Sequence, residues 1–149
     1  MQRWLLKTEP ETVSIDDLAT RKIEPWDGVR KYQARNFIRE MRRGDGVLIY
    51  HSSCAVPGVA GIARIAAGPM PDPTQFDPAG DHFDPRSDPG DPRWSLVEVR
   101  FVRKLKRVIT LDEIKRLRNL GDFALIRRGN RLSVLPVSDA QWNAIVALE

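Results

Sequence analysis

Two rhythms of apolar residues run along the chain. Between Tyr32 and Arg43, Ala34, Phe37, Ile38 and Met41 fall at i, i+3, i+4 and i+7, with Arg35, Arg39 and Arg42 off that stripe. This spacing predicts an amphipathic helix, ended by Gly44-Asp45-Gly46. Short apolar runs predict strands at Arg3–Lys7, Val47–His51 and Val59–Ile65. A longer strand is expected at Trp94–Val102, where Val97, Val99 and Phe101 alternate onto one face, taken as the core side. Phe123–Ile126 and Leu132–Val137 read as two further strands around the turn Arg128-Gly129-Asn130-Arg131.

Three helix starts are marked by a hydroxyl residue with Asp, Glu or Gln three positions on. They are Ser14 with Asp17, Thr110 with Glu113, and Ser138 with Gln141. From Pro69 to Pro92 the chain is irregular and holds seven of the eleven prolines. Phe-Asp-Pro occurs there twice, at Phe76–Pro78 and Phe83–Pro85, and Asp-Pro favours turns. The two Phe are expected to staple this loop to the body.

There is no repeat at solenoid period and no linker between two cores, so residues 1–149 read as one domain. Strands and helices do not alternate in a βαβ rhythm, which argues against a doubly wound parallel sheet. The expected class is α+β: a small, mostly antiparallel β barrel with short peripheral helices.

Composition narrows the setting. Hydrophobic residues make up 42% and charged residues 30%, ordinary for a folded domain. No stretch approaches the roughly 20 apolar residues of a membrane span, and a single cysteine, Cys54, permits no internal disulfide. A cytoplasmic monomer with no membrane partner is the expectation. The net charge is +4, and it is segregated. Arg100–Arg131 holds eleven Lys or Arg against three acids, while Pro69–Arg93 holds six Asp against two Arg. A concentrated basic stretch is the footprint of a phosphate-binding face, although a merely solvated surface has the same composition.

Enzyme signatures are missing: no phosphate-binding Gly-rich loop, no dinucleotide fingerprint, no zinc-protease motif and no paired Cys-x-x-Cys. His51-Ser52-Ser53-Cys54 lacks an evident orienting acid for a triad. His82 among Asp77, Asp81 and Asp84 reads as a solvated acidic loop rather than a metal site. The expectation is a binding protein without cofactor, metal or catalytic residue.

Three clusters carry candidate binding chemistry. Trp26-Asp27-Gly28-Val29-Arg30-Lys31-Tyr32-Gln33-Ala34-Arg35 sets an aromatic ring in a turn ahead of a helix N-terminus, among cations. A ring can stack on a base, and helix-terminal amides with guanidinium groups can hold its phosphate. A tryptophan there serves equally well as a core plug, and the pattern alone does not decide. Lys7-Thr8-Glu9-Pro10 and Tyr50-His51-Ser52 place polar groups at strand ends, where they could read a base edge.

These clusters, in this order, resemble the EVE domain family. The resemblance also takes in Trp4-Leu5-Leu6, Pro71-Asp72-Pro73-Thr74, Asp91-Pro92-Arg93-Trp94, Val102-Arg103-Lys104-Leu105 and Arg127-Arg128-Gly129-Asn130-Arg131-Leu132-Ser133-Val134, and covers essentially the whole chain. It implies a PUA-like mixed/antiparallel pseudobarrel, related to the YTH readers of methylated adenine, that binds a modified base in DNA or RNA, modified cytosine foremost. By position, Lys7, Thr8, Glu9, Trp26, Arg30, Tyr32, Gln33, Tyr50, His51 and Ser52 would form the base pocket. Arg35, Arg103, Lys104, Arg107, Arg127, Arg128 and Arg131 would meet phosphate. The chain departs from the family pattern at Thr8 (usually Ser), Lys31 (Asn), Ser53 (often Asn) and Leu135 (Gln). The rival expectations are a general RNA-binding module without a modified-base pocket, and an enzyme acting on a nucleoside-like ligand.

Overall fold

The runs Trp4-Leu5-Leu6 and Val47-Leu48-Ile49-Tyr50 lie side by side in the sheet, buried on both faces. The computed structural model describes residues 1–149. Its strands are β1 (Arg3–Thr8), β2 (Ile23–Pro25), β3 (Gly46–His51), β4 (Gly58–Pro71), β5 (Ser95–Thr110) and β6 (Val134–Val137). Its helices are α1 (Ile15–Arg21), α2 (Tyr32–Glu40), α3 (Leu111–Lys115) and α4 (Asp139–Val146). The strands form one sheet in the order β2-β5-β4-β3-β1-β6. Only β1 and β3 run parallel, with Lys7 opposite Tyr50 and Thr8 opposite His51. The β1–β6, β2–β5, β3–β4 and β4–β5 pairs are antiparallel.

Side-chain alternation sends Trp4, Leu6, Val47 and Ile49 into one apolar layer, with Ile15 and Leu18 of α1 and Ala34 and Ile38 of α2. Leu5, Leu48 and Tyr50 point the other way, into a second layer with Ile114 of α3 and Ile145 of α4. Covered faces on both sides explain why β1 and β3 read as continuous apolar runs. Each fully buried Leu or Ile contributes about 1.5–3 kcal/mol. β4 and β5 are long and broken by four register shifts. Such bulges bend strands, so Val97 and Val99 reach the first layer while Leu105 and Ile109 of the same strand reach the second.

The expected α+β class holds, with one refinement: the barrel is open. β2 and β6 stand at opposite edges and do not pair with each other. β2 has only three residues and ends at Pro25, and β6 carries Pro136. Proline donates no ladder hydrogen bond and suits an unpaired edge.

All three capping boxes form, at Ser14, Thr110 and Ser138. Other local expectations need correction. The helix predicted to Arg43 ends at Glu40, because Met41 is extended and the buried Asp45 carboxylate accepts the Arg42 N–H at 2.9 Å. Asp45 also accepts the Trp4 indole N–H at 3.0 Å and the Gln2 N–H at 3.1 Å. The strand expected at Phe123–Ile126 is a 3-10 turn, Ala124–Ile126, with no strand beside it. The strand expected from Leu132 begins at Val134.

The loop after β4 is held by polar bonds more than by its phenylalanines. Phe83 is exposed, and Phe76 is half-buried. Buried Gln75 donates to the carbonyls of Asp72 and Trp94 at 2.6 and 2.9 Å. Its Oε1 accepts from the Ser87 hydroxyl and the Trp94 N–H at 2.6 and 3.1 Å. The Trp94 indole donates to Asp84 at 2.7 Å.

Candidate nucleic-acid interface

The parallel pairing of β1 and β3 brings their C-terminal ends together, and the chain leaves β1 through a tight turn. The Glu9 carbonyl accepts the Thr12 and Val13 N–H groups at 2.9 and 3.0 Å, and the Thr8 hydroxyl donates to the Val13 carbonyl at 2.8 Å. Opposite stands the segment from Trp26 to Lys31. Its backbone is tied to β5 by the Trp26 N–H donating to the Val97 carbonyl at 2.8 Å. Between the two walls opens a cleft of about 510 Å³, with a side lobe of about 150 Å³ toward Glu24 and Pro25. Lys7, Thr8, Trp26, Asp27 and His82 line both spaces. Arg131 and Ser133 close the far side of the main cleft.

Asp72 fixes the Trp26–Lys31 wall. Its carboxylate is fully buried and accepts the Gly28 N–H at 2.9 Å, the Arg30 Nη1 at 3.0 Å, the Thr74 N–H at 2.8 Å and the Thr74 hydroxyl at 2.6 Å. Burial alone would raise its pKa; the Thr74, Gly28 and Arg30 hydrogen bonds outweigh that and hold it below the ordinary value. Gly28 has φ +80, and a Cβ there would stand 2.7 Å from His82 Nε2. Arg30 also donates to the carbonyls of Val29 and His82 and to the Thr74 hydroxyl. A guanidinium has five N–H donors, and all of those of Arg30 meet protein acceptors. Arg30 therefore shapes the wall.

The structure gathers five of the residues expected in the pocket around this cleft: Lys7, Thr8, Glu9, Trp26 and Arg30. Trp26 is both a core residue and a cleft wall, being 8% exposed and packed in the first apolar layer. Tyr32, Gln33, Tyr50, His51 and Ser52 do not line it. Tyr50 is buried in the second layer, with the Lys7 ammonium 5.7 Å from its ring centre. His51 Nε2 accepts the Ile15 N–H at 3.1 Å and so anchors the start of α1. Burial pushes its pKa down, which favours the neutral ring this bond requires. The Ser52 N–H donates to the Thr8 carbonyl at 2.9 Å, joining the two strand ends. Tyr32 is exposed, stacks on Trp94 at 5.0 Å, and carries Arg35 at 4.8 Å from its ring centre.

Gln33 lines a second, shallow cleft of about 420 Å³ with Lys31, Arg127, Gly129, Asn130, Arg131 and Leu132. Lys31 and Arg131 belong to both clefts and join them. Here the departure at Lys31 has a visible effect. The residue stands at the N-cap of α2, where an ammonium has no acceptor with which to cap the helix, and it lines both clefts. Arg128 and Arg131 form no ion pair, whereas Arg127 meets Asp122 at 2.8 Å. The cations expected on β5 are engaged elsewhere: Arg103 with Glu149 at 2.7 Å, Lys104 with Asp16 at 2.9 Å and Arg107 with Glu113 at 2.8 Å. Asp27, Thr12, His82 and Ser133 also line the cleft, and none of them is among the residues expected there. Asp27 follows Trp26 directly in the chain, and His82 reads in the sequence as part of a solvated acidic loop with Asp77, Asp81 and Asp84. No three acidic, His or Cys side chains converge into a metal-binding group.

The EVE domain profile matches residues 2–148. This chain belongs to the EVE domain family. It is 39% identical to human thymocyte nuclear protein 1 across 98% of its own length and 73% of that protein. A Pseudomonas putida crystal structure superposes with a TM-score of 0.96 at 46% identity, covering 98% of each chain. The human protein, crystallised in complex with 5-methylcytosine-containing DNA, superposes with a TM-score of 0.89 at 37% identity, covering 99% of this chain and 97% of that one. The fold is thus the PUA-like one that the resemblance implied. No helix is long and apolar enough to cross a membrane.

Proposed function

We propose that this EVE domain is a reader of modified cytosine in nucleic acid, binding without turnover and acting as a monomer. The observation that carries the reading is the union of the two clefts through Lys31 and Arg131. A cleft with a tryptophan wall, roomy enough to admit a base, opens directly into a groove of cations. The base, flipped out or already single-stranded, enters between Trp26 and the Lys7–Glu9 strand end. Its phosphates lie along Lys31, Arg128 and Arg131. Stacking of one base contributes about 1–3 kcal/mol, and phosphate contacts add affinity that salt weakens. The human relative's complex with 5-methylcytosine-containing DNA supports modified cytosine as the ligand. Tyr50, His51 and Ser52 support the cleft from behind by fixing the strand ends and the start of α1. His51 spends Nε2 on backbone, which speaks against its service as a general base.

Fluorescence anisotropy tests this with oligonucleotides carrying cytosine, 5-methylcytosine, 5-hydroxymethylcytosine or N6-methyladenine, as single- and double-stranded DNA and RNA. Binding should favour a modified cytosine, and Trp26→Phe should weaken that preference while keeping the fold. Equal binding of all strands, unaffected by Trp26→Phe, would instead establish a general nucleic-acid surface. Release of a cleaved or altered nucleoside would overturn the binding-only reading.

A further inference from the structure

The polar groups of the cleft are not equally available to a ligand. Arg30 has no free donor. The Gly28 N–H is committed to Asp72, and the Thr8 hydroxyl proton to the Val13 carbonyl. Among the acceptors, Asp72 is saturated, and Glu24 is held by Arg21 at 3.1 Å. Glu9 stands on the exposed rim. Asp27 is exposed as Glu9 is, but its place in the cleft is different. It directly follows Trp26, lines both the main cleft and its side lobe, and makes no hydrogen bond or ion pair in the structure, whereas the Asp72 and Asp84 carboxylates are hydrogen-bonded. Partial burial, together with repulsion from Asp72, pushes its pKa up. A water-exposed carboxylate that lines both spaces and has no protein partner is open to a donor that a ligand brings.

We propose that Asp27 is the specificity-determining residue of the cleft, its carboxylate accepting the exocyclic amino group of a cytosine ring and excluding thymine and uracil. This rests on the cleft being the base site. A carboxylate can only accept. Cytosine presents an amino donor at C4, where thymine and uracil present a carbonyl oxygen that would face the carboxylate unpaired. Thymine is 5-methyluracil, so 5-methylcytosine and thymine share the methyl group and the ring and differ at this edge. A reader of the methyl group alone would confuse them, and Asp27 prevents that.

The test compares one oligonucleotide sequence carrying cytosine, 5-methylcytosine or thymine at a single position, against wild type, Asp27→Asn and Asp27→Leu. Wild type should bind 5-methylcytosine about ten- to a hundred-fold more tightly than thymine. In Asp27→Asn that ratio should collapse to within about threefold, because a carboxamide can also donate to the thymine carbonyl. Asp27→Leu should lose 5-methylcytosine binding but keep the salt-sensitive background affinity for plain strands. Thermal melts check that both variants fold. If wild type prefers 5-methylcytosine to cytosine but binds thymine equally well, the assignment of Asp27 fails and the reader function stands. The same holds if Asp27→Asn keeps the wild-type ratio. If wild type binds all three alike, the reader function fails, and the assignment with it.

Discussion

Replacing Asp72 by alanine should destabilise the domain by about 3–5 kcal/mol, the range for removing one partner of a buried charge pair. The carboxylate accepts four hydrogen bonds, from Gly28, Arg30 and both donors of Thr74. Bonds to a charged group contribute about 1.5–3 kcal/mol each, but they share one anion and do not add. The Arg30 side chain is 21% exposed, so water recovers part of its loss and the lower half of the range is expected. Urea denaturation followed by tryptophan fluorescence reads this out. With an m-value of about 2 kcal/mol/M, the midpoint should fall by about 1.5–2 M. Asp72→Asn keeps one acceptor and should lose about half as much. Binding should suffer in both variants, because Gly28, Arg30 and the His82 carbonyl are fastened through this hub. A midpoint shift under about 0.5 M for Asp72→Ala, with binding unchanged, would refute the claim that Asp72 holds the cleft wall.

Other consequences follow from the same geometry. The His51 pKa is lowered from its ordinary 6.5, so the unfolded chain takes up a proton that the folded form resists. Stability should therefore be full above about pH 6.5 and decline as pH falls through it, and His51→Gln should flatten that decline in denaturation curves at pH 7.5 and 5.5. Glu113 is drawn down to about 2 by Arg107 and the Thr110 cap; its contribution to stability should be present above its ordinary 4.5 and fade below it, and carboxyl NMR titration should show the low midpoint. Gly28→Ala forces a side chain onto a backbone with φ +80 and should cost about 1–2 kcal/mol; it also displaces His82, so base affinity should drop beyond what the melt alone explains. Arg128→Ala and Arg131→Ala should each reduce the log–log salt slope of binding by about 0.7–0.9, one phosphate contact, with little change in base preference.

Local chemistry was the most legible part of the chain. Ser14, Thr110 and Ser138 each start a helix because their partners lie three residues away. Structure that depends on distant partners was not legible. The short β2 exists because β5 pairs with it, and the basic Arg103–Arg107 stretch hides half of β5. Phe123 and Leu125 alternate as a strand would, but they bury their side chains from a turn, with no strand to join. The site divided in the same way. The Trp26 turn and the Lys7–Glu9 strand end were visible as motifs, and they do meet. Tyr50 and His51 looked alike as polar groups at a strand end. Only the fold separates the core phenol from the imidazole that holds Ile15, 36 residues away in sequence. Asp27 stood in plain view, but its free carboxylate is defined by what its neighbours do.

Amide and indole NMR shifts, recorded while the chain is titrated with a single-stranded oligonucleotide bearing one 5-methylcytosine, test the central claim most directly. Thr8, the amides from Trp26 to Arg30 and the Trp26 indole should move most, and the same strand with unmodified cytosine should move them far less. Shifts confined to the Arg127–Ser133 segment, equal for both strands, would contradict it.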